Sequence, residues 1–118
     1  MGNEILVVDD KPEICLLLTE LLENKGYGIT TAENGKVALD KIYKKSFNLI
    51  ILDYYLPILN GYEVIERLKY DKFTIPIILM TGLPEGINES KKNSLIIDTV
   101  AKPFNIQYIS DLVKSIIA

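Results

Sequence analysis

Five polar residues of this 118-residue chain stand where short apolar runs end, in order Asp9, Asp10, Asp53, Thr81 and Lys102. If they meet, the carboxylates repel one another; at an effective dielectric near 20 each close pair costs roughly 4 kcal/mol. Such a cluster needs a counter-charge, and Lys102 supplies one. An oxygen-only ligand set in a chain without histidine suits Mg²⁺. The residue types therefore predict a magnesium site beside a lysine.

The elements that must position these residues follow from the apolar pattern. Leu49–Leu52 is a short, unbroken apolar run, which is typical of a strand covered on both faces. Similar runs alternate with helical patterns, so we predict strands at 4–8, 28–31, 48–52, 75–80 and 95–100. This alternation predicts one doubly wound α/β domain over residues 1–118, a five-stranded parallel sheet with helices on both faces. The strand exits of such a sheet share one edge, where ligands bind.

Local signals mark where the helices begin and end. Pro12 suits the first turn of a helix, Gly26 suits the position just after its end, and Asn105 suits an N-cap. Asn34-Gly35 indicates a turn or a cap, and Asn60-Gly61 indicates a turn. Residues 83–94 have few apolar positions and predict a short, poorly packed helix or a loop.

Composition excludes several classes of function. The net charge is −3 with Lys and Arg scattered, which argues against a dedicated nucleic-acid surface. No apolar run approaches the roughly 20 residues of a membrane helix, and no signal peptide is expected. The single Cys15 excludes an internal disulfide, predicts a buried or half-buried thiol and fits the cytoplasm. The absence of histidine excludes Ser-His triads.

Each polar residue at a strand exit also has a plainer interpretation. The aspartates are common caps, Thr81 before Gly82 is ordinary turn chemistry, and Lys102 alone is usually a solvated charge. Each of these interpretations is reasonable for one residue taken alone. Together they are less convincing, because every one of the residues stands at the same end of its own strand.

The chain resembles a response-regulator receiver domain, the CheY-like module of bacterial two-component signalling. The resemblance covers essentially the whole length and rests on four fragments in order: Val7-Val8-Asp9-Asp10, Leu52-Asp53-Tyr54-Tyr55-Leu56-Pro57 with Asn60-Gly61, Met80-Thr81-Gly82 and Lys102-Pro103-Phe104. It implies the strand order 2-1-3-4-5 and a cis peptide bond at Lys102-Pro103.

The resemblance also implies a role for each site residue. Asp53 would accept a phosphoryl group; Asp10, Asp53 and the backbone carbonyl of Tyr55 would hold Mg²⁺, with Asp9 acting mainly through water. Lys102 and Thr81 would contact phosphoryl oxygens. The donor would be a histidine kinase or a histidine phosphotransfer protein, docking on the first helix near Pro12, Ile14, Cys15 and Leu18. The domain would be a phosphoacceptor that catalyses only its own phosphorylation and dephosphorylation, and so not an enzyme in the usual sense.

Two positions depart from the family pattern. Thr99 stands where most receivers carry an aromatic switch residue, and Leu95 stands where many have glycine. Both lie on the surface that the family uses to signal to its effectors, the output face. We therefore predict that this output face is non-standard or that its role is to pass phosphate on. Bulky Tyr55 and Leu83 occupy positions that tune phosphoryl lifetime in the family, and we predict a long-lived phosphorylated state.

Three alternatives were weighed. A haloacid-type phosphatase needs a second carboxylate two residues after its nucleophile, where this chain has Tyr55. A flavodoxin-like cofactor binder needs a phosphate-cradling glycine loop after the first strand, which is missing. A pseudo-receiver that serves only as an interaction module usually lacks an acidic or lysine position, and here none is lost.

Overall fold

The structure, a computed structural model, describes residues 3–82 and 95–117. Its strands are β1 (Glu4–Val8), β2 (Gly28–Ala32), β3 (Leu49–Asp53), β4 (Ile77–Thr81) and β5 (Ile96–Ala101), and its helices are α1 (Pro12–Glu23), α2 (Gly35–Lys44), α3 (Gly61–Tyr70) and α4 (Ile106–Ile117). The predictions for residues 83–94, including Leu83, lie outside the described residues. Within the described ranges, no helix is long and apolar enough to cross a membrane.

The strands form one parallel sheet in the order β2-β1-β3-β4-β5, which confirms the predicted topology. In the register of the sheet, Val8 lies beside Leu52 and Leu52 lies beside Leu79. Thr81 lies beside Ala101, the residue before Lys102. The carboxyl ends of β1, β3, β4 and β5 therefore meet along one edge.

The hydrophobic core consists of two layers, one on each face of the sheet. Ile50 and Leu52 of β3 pack into the layer that contains the buried residues of α2 and α3. Leu49 and Ile51 face the opposite layer, which contains those of α1 and α4. All four side chains are fully buried. At roughly 1.5–3 kcal/mol for each buried Leu or Ile, this strand anchors the sheet on both faces.

The helix ends predicted at Asn34, Asn105 and Gly26 are confirmed. Asn34 and Asn105 each accept a hydrogen bond from the backbone N–H three residues on, and so does Asn60, for which the sequence predicted only a turn. After α1, Gly26 has φ +96°; its N–H donates to the carbonyl of Glu23 while the next N–H donates to Leu22, a Schellman ending.

Three predicted strands start later than expected: β3 and β5 by one residue and β4 by two. β4 begins at Ile77 rather than at residue 75. Pro76 has no N–H to place in the ladder, although its carbonyl still accepts a hydrogen bond from Ile50 N–H at 3.1 Å. Apolar character alone could not separate these residues from the strand.

Candidate functional site

Three carboxylates converge at the carboxyl edge of the sheet. Asp53 is the last residue of β3, and Asp9 and Asp10 directly follow β1, its neighbour in the sheet. One oxygen from each lies within 4.8 Å of the other two. The adjacency of β1 and β3 brings together residues that are more than forty positions apart in sequence, as the sequence predicts.

Lys102 provides the counter-charge that the sequence predicts. Its Nζ lies 2.8 Å from Asp9 Oδ2 and 3.3 Å from Asp53 Oδ2, with the lysine side chain 18% exposed. The backbone N–H of Lys102 donates to the carbonyl of Thr81 at 2.8 Å, so the pairing of β4 with β5 extends to the lysine. The Lys102-Pro103 peptide bond is cis, as predicted.

Asp9 and Asp10 differ in their surroundings. Asp9 is 1% exposed, and both its oxygens have protein partners: Oδ2 the ammonium of Lys102, Oδ1 the backbone N–H of Lys11 at 2.9 Å. Asp10 keeps 40% of its side chain exposed. Asp9 therefore holds both the backbone of Lys11, directly before α1, and the side chain of Lys102, whereas Asp10 is open to a ligand from solvent.

The electrostatics of the cluster affect Asp53 and Lys102 differently. Burial raises the pKa of Asp53, the charge of Asp9 raises it further, and Lys102 offsets only part of this. Burial acts to lower the pKa of Lys102, but the hydrogen bond to Asp9 and the charge of Asp53 outweigh it, so the pKa of Lys102 is raised. The lysine thus stays protonated, while the ionised form of Asp53 is destabilised by its burial and by Asp9.

The remaining predicted site residues lie on the same edge. Thr81 is the last residue of β4 and is fully buried. Tyr55 follows Asp53 by two residues; its ring is 53% exposed and packs edge-on against Tyr54, with centroids 4.8 Å apart. A role for the Tyr55 carbonyl as a metal ligand stays a prediction.

Sequence reasoning assigned Gly61 only to a turn, but the residue also supports the site. Its N–H donates to the carbonyl of Tyr54 at 2.7 Å. A Cβ at this position would lie 2.7 Å from the backbone oxygen of Asp53 and 2.8 Å from Cα of Tyr54. Only glycine allows α3 to begin this close to the end of β3.

Cys15 and Lys11 line the approach to the carboxylates. The half-buried thiol of Cys15 donates to the carbonyl of Asp9 at 3.4 Å, and burial raises its pKa, consistent with the predicted inert thiol. Lys11, which the sequence analysis did not single out, lies next to Asp10 at the mouth. Beside it runs an apolar groove lined by Lys11, Ile14, Leu17, Lys102, Pro103 and Phe104.

The donor set fits a hard divalent cation. It consists of carboxylate oxygens, which Mg²⁺ prefers, and Asp10 faces solvent, from which Mg²⁺ would bring its own water ligands. The pKa of Asp53 is raised because burial and the charge of Asp9 outweigh the neighbouring Lys102, so a further cation would stabilise its ionised form.

Comparison with known proteins agrees with this geometry. The sequence model of the response regulator receiver domain matches residues 5–114. Sporulation initiation phosphotransferase F of Bacillus subtilis is 39% identical over 97% of the chain and 93% of its own length. The alkaline phosphatase synthesis transcriptional regulatory protein PhoP of the same species is 37% identical over 99% of the chain and 49% of its own length.

Solved structures show the same fold. The response regulator TrrA from Thermotoga maritima, solved in complex with Mg²⁺-BeF, is 38% identical, with a TM-score of 0.85 over 98% of this chain and 99% of that one. The receiver domain of the Francisella response regulator 1452 is 27% identical, with a TM-score of 0.91 over 98% of this chain and 96% of that one.

The chain therefore belongs to the response regulator receiver family and is a phosphoryl-accepting receiver of two-component signal transduction. It spans about half the length of PhoP but nearly all of sporulation initiation phosphotransferase F. No finding favours the pseudo-receiver alternative.

Proposed function

We propose that Asp53 is the phosphoacceptor and that the chain, taken as one domain over residues 1–118, receives its phosphoryl group from a phosphohistidine donor in a Mg²⁺-dependent reaction. The observation that carries this proposal is the meeting of Asp53, Asp10 and Lys102 at the edge of the sheet, with the Asp53 carboxylate held by Lys102 at 3.3 Å. A nucleophilic carboxylate, an open acidic residue and a fixed cation are the parts that phosphoryl transfer to a carboxylate needs.

The bond changes follow from these groups. An oxygen of Asp53 forms a new bond to phosphorus while the P–N bond of phosphohistidine breaks, and the leaving imidazole nitrogen keeps the electron pair and gains a proton. Lys102 attracts a phosphoryl oxygen, and the Thr81 hydroxyl donates to another. Because transfer depends on positioning and on neutralising spreading negative charge, these residues act by geometry and charge rather than as acids or bases.

Asp10, Asp53 and the backbone carbonyl of Tyr55 would hold the Mg²⁺, with Asp9 acting through water. When bound, the ion would supply positive charge that offsets the charge of the carboxylates and of the phosphoryl group. Asp9 would position the neighbouring groups rather than bind the ion directly, because its two oxygens already accept hydrogen bonds from the side chain of Lys102 and the backbone N–H of Lys11.

The apolar groove beside the site supports a protein donor rather than a small molecule alone. Ile14 and Leu17 of α1 line it together with Phe104 and Lys102. Leu17 is 39% exposed, whereas Leu18, which the resemblance placed on the docking surface, is fully buried and cannot contact a donor. A donor helix that carries phosphohistidine could bury the side chains that line the groove while it presents the phosphorus to Asp53. The donor would be a histidine kinase or a histidine phosphotransfer protein.

Two finer features of signalling belong to this proposal. Tyr55 follows Asp53 by two residues and is exposed, and its bulky side chain would shield the acyl phosphate from water and lengthen its lifetime. Thr99 has no ring to bury, so the output face would differ from that of receivers with an aromatic switch. We place the chain in the cytoplasm, with no direct contact to nucleic acid.

Intact-protein mass spectrometry after incubation with acetyl phosphate tests the proposal. We expect one phosphoryl adduct in the wild type, lost when Mg²⁺ is chelated and lost in Asp53→Asn. The matched control is Asp40→Asn, which removes an exposed carboxylate that pairs with Lys36 at 3.6 Å. An adduct that persists in Asp53→Asn would overturn the assignment.

A further inference from the structure

Lys11 holds a position at the site that the proposed roles do not use. Its backbone is fixed, because its N–H donates to Asp9 Oδ1 and its carbonyl accepts from Ile14 and Cys15. Its side chain extends to the mouth, where Nζ lies 3.9 Å from Asp10 Oδ1 and 58% of the side chain is exposed. It also lines the apolar groove together with Lys102.

The charge of the cluster shows what a lysine there would do. Three carboxylates and the ammonium of Lys102 carry a net charge of −3 + 1 = −2, which one bound Mg²⁺ would bring to 0. Every phosphodonor is an anion, so these groups repel it before the metal ion binds and do not attract it afterwards. An ammonium at the solvent-facing opening of the site makes the electrostatic potential there more favourable for an anion. That opening lies on the path by which a donor reaches Asp53. The charge of Lys11 acts on Asp53 in the same sense, since it favours the ionised carboxylate.

We infer that Lys11 is the residue that attracts the anionic phosphodonor to the mouth of the site, and that it does so while competing with the metal ion for Asp10. The inference rests on the proposed function. It has two consequences of opposite sign: removing the ammonium weakens capture of the donor and strengthens binding of Mg²⁺. If Lys11 were an ordinary surface lysine, its removal would change neither the capture of the donor nor the binding of Mg²⁺. Its exposed pair with Asp10 at 3.9 Å contributes little to stability.

The test compares Lys11→Gln, Lys11→Arg and a charge-matched control, Lys69→Gln. Lys69 is exposed in the last turn of α3, at the opposite edge of the sheet. The second-order rate of adduct formation is measured with acetyl phosphate and with phosphoramidate, which has a smaller net charge, at low and high salt. Mg²⁺ affinity is measured separately by calorimetry without any phosphodonor.

In Lys11→Gln at low salt we expect the rate with acetyl phosphate to fall about 3- to 10-fold, with a smaller loss for phosphoramidate. The difference should shrink in high salt, where the screening length falls to about 3 Å. The rate at saturating donor should change little, Mg²⁺ should bind about 2- to 3-fold more tightly, and Lys11→Arg should retain wild-type behaviour.

Equal rates in Lys11→Gln and Lys69→Gln, or a loss that is the same for both donors and insensitive to salt, would overturn the inference. Weaker Mg²⁺ binding in Lys11→Gln would overturn it as well. Failure of the proposed function gives a different result, because the wild type would then form no Mg²⁺-dependent adduct or would keep it in Asp53→Asn.

Discussion

Asp9 and Asp10 are adjacent and chemically identical, yet their surroundings give them different tasks. Asp9 is buried with both oxygens occupied, and Asp10 is open to solvent. Sequence reasoning could predict that both approach Asp53, because the end of β1 lies beside the end of β3. It could not predict that Asp9 would also hold the backbone of Lys11, directly before α1, since that depends on the path of the loop and on the position of Lys102.

The surroundings of Asp53 destabilise its ionised carboxylate, so the residue lowers the stability of the folded protein at neutral pH. Because the pKa of Asp53 is raised in the fold, its contribution to stability is present when it is protonated and is lost as pH rises through that raised pKa. At neutral pH without Mg²⁺, Asp53→Asn should therefore raise the free energy of unfolding by about 1 kcal/mol. The gain should vanish toward pH values below the ordinary aspartate pKa of about 3.9.

Denaturant unfolding in EDTA across this pH range is the measurement. Asp40→Asn is the control, because its exposed pair with Lys36 should change stability by less than about 0.5 kcal/mol. An Asp53→Asn protein that is less stable than the wild type at neutral pH would show that Lys102 fully compensates the buried charge.

At the scale of the elements, β3 and α3 are joined by a close contact that only glycine permits. Gly61→Ala places a Cβ 2.7 Å from the backbone oxygen of Asp53, so the end of β3 or the start of α3 must move. We expect a loss of about 2 kcal/mol in unfolding free energy and at least a 10-fold slower formation of the Asp53 adduct, since small displacements of a nucleophile slow transfer strongly.

Gly26→Ala is the matched control for this prediction. Its φ of +96° makes alanine strained, but a Cβ there meets no atom within 4 Å, and the residue lies after the far end of α1. It should lower stability by about 1 kcal/mol without changing the rate of adduct formation in the folded protein. Equal rates in the two glycine variants would mean that the contact at Gly61 does not position Asp53.

The end of α3 contains a residue in an unfavourable conformation. Lys72 has φ +64°, and the hydrogen bonds from Lys72 N–H to Lys69 and from Phe73 N–H to Leu68 are those that Gly26 and its neighbour make after α1. We expect Lys72→Gly to raise the free energy of unfolding by about 0.5–1 kcal/mol. Thermal unfolding checks this, and a lower melting temperature would contradict it.

The elements themselves were largely predictable because their signals are local. The apolar runs, the caps at Asn34, Asn60 and Asn105 and the ending at Gly26 each depend on a few neighbouring residues. The left-handed conformation of Lys72 and the close approach at Gly61 were not predictable in the same way. Both are imposed by where the next strand must begin or where the previous one ends, which is a property of the packed sheet.

For the whole molecule, parallel strand order converts four separated sequence fragments into one acidic edge with a lysine. Such an edge binds a divalent cation only when folded, so Mg²⁺ should stabilise the fold by mass action. At a concentration about 100 times its dissociation constant, we expect the free energy of unfolding to rise by about 2.7 kcal/mol. Chelation with EDTA should reverse the effect.

Asp10→Asn should abolish this Mg²⁺-dependent stabilisation, because it removes the carboxylate that is open to solvent. Glu20→Gln, which neutralises an exposed carboxylate on α1, should leave the stabilisation intact. If Asp10→Asn and Glu20→Gln respond to Mg²⁺ as the wild type does, the ion binds elsewhere on the molecule.

The position of the phosphoryl group is the central claim, and reductive trapping locates it most directly. Borohydride reduces an aspartyl phosphate to homoserine, which peptide mass spectrometry can assign to one residue. After Mg²⁺-dependent phosphorylation, we expect homoserine at position 53 and at no other aspartate. Homoserine at Asp9 or Asp10, or phosphate retained on a hydroxyl side chain, would contradict this claim.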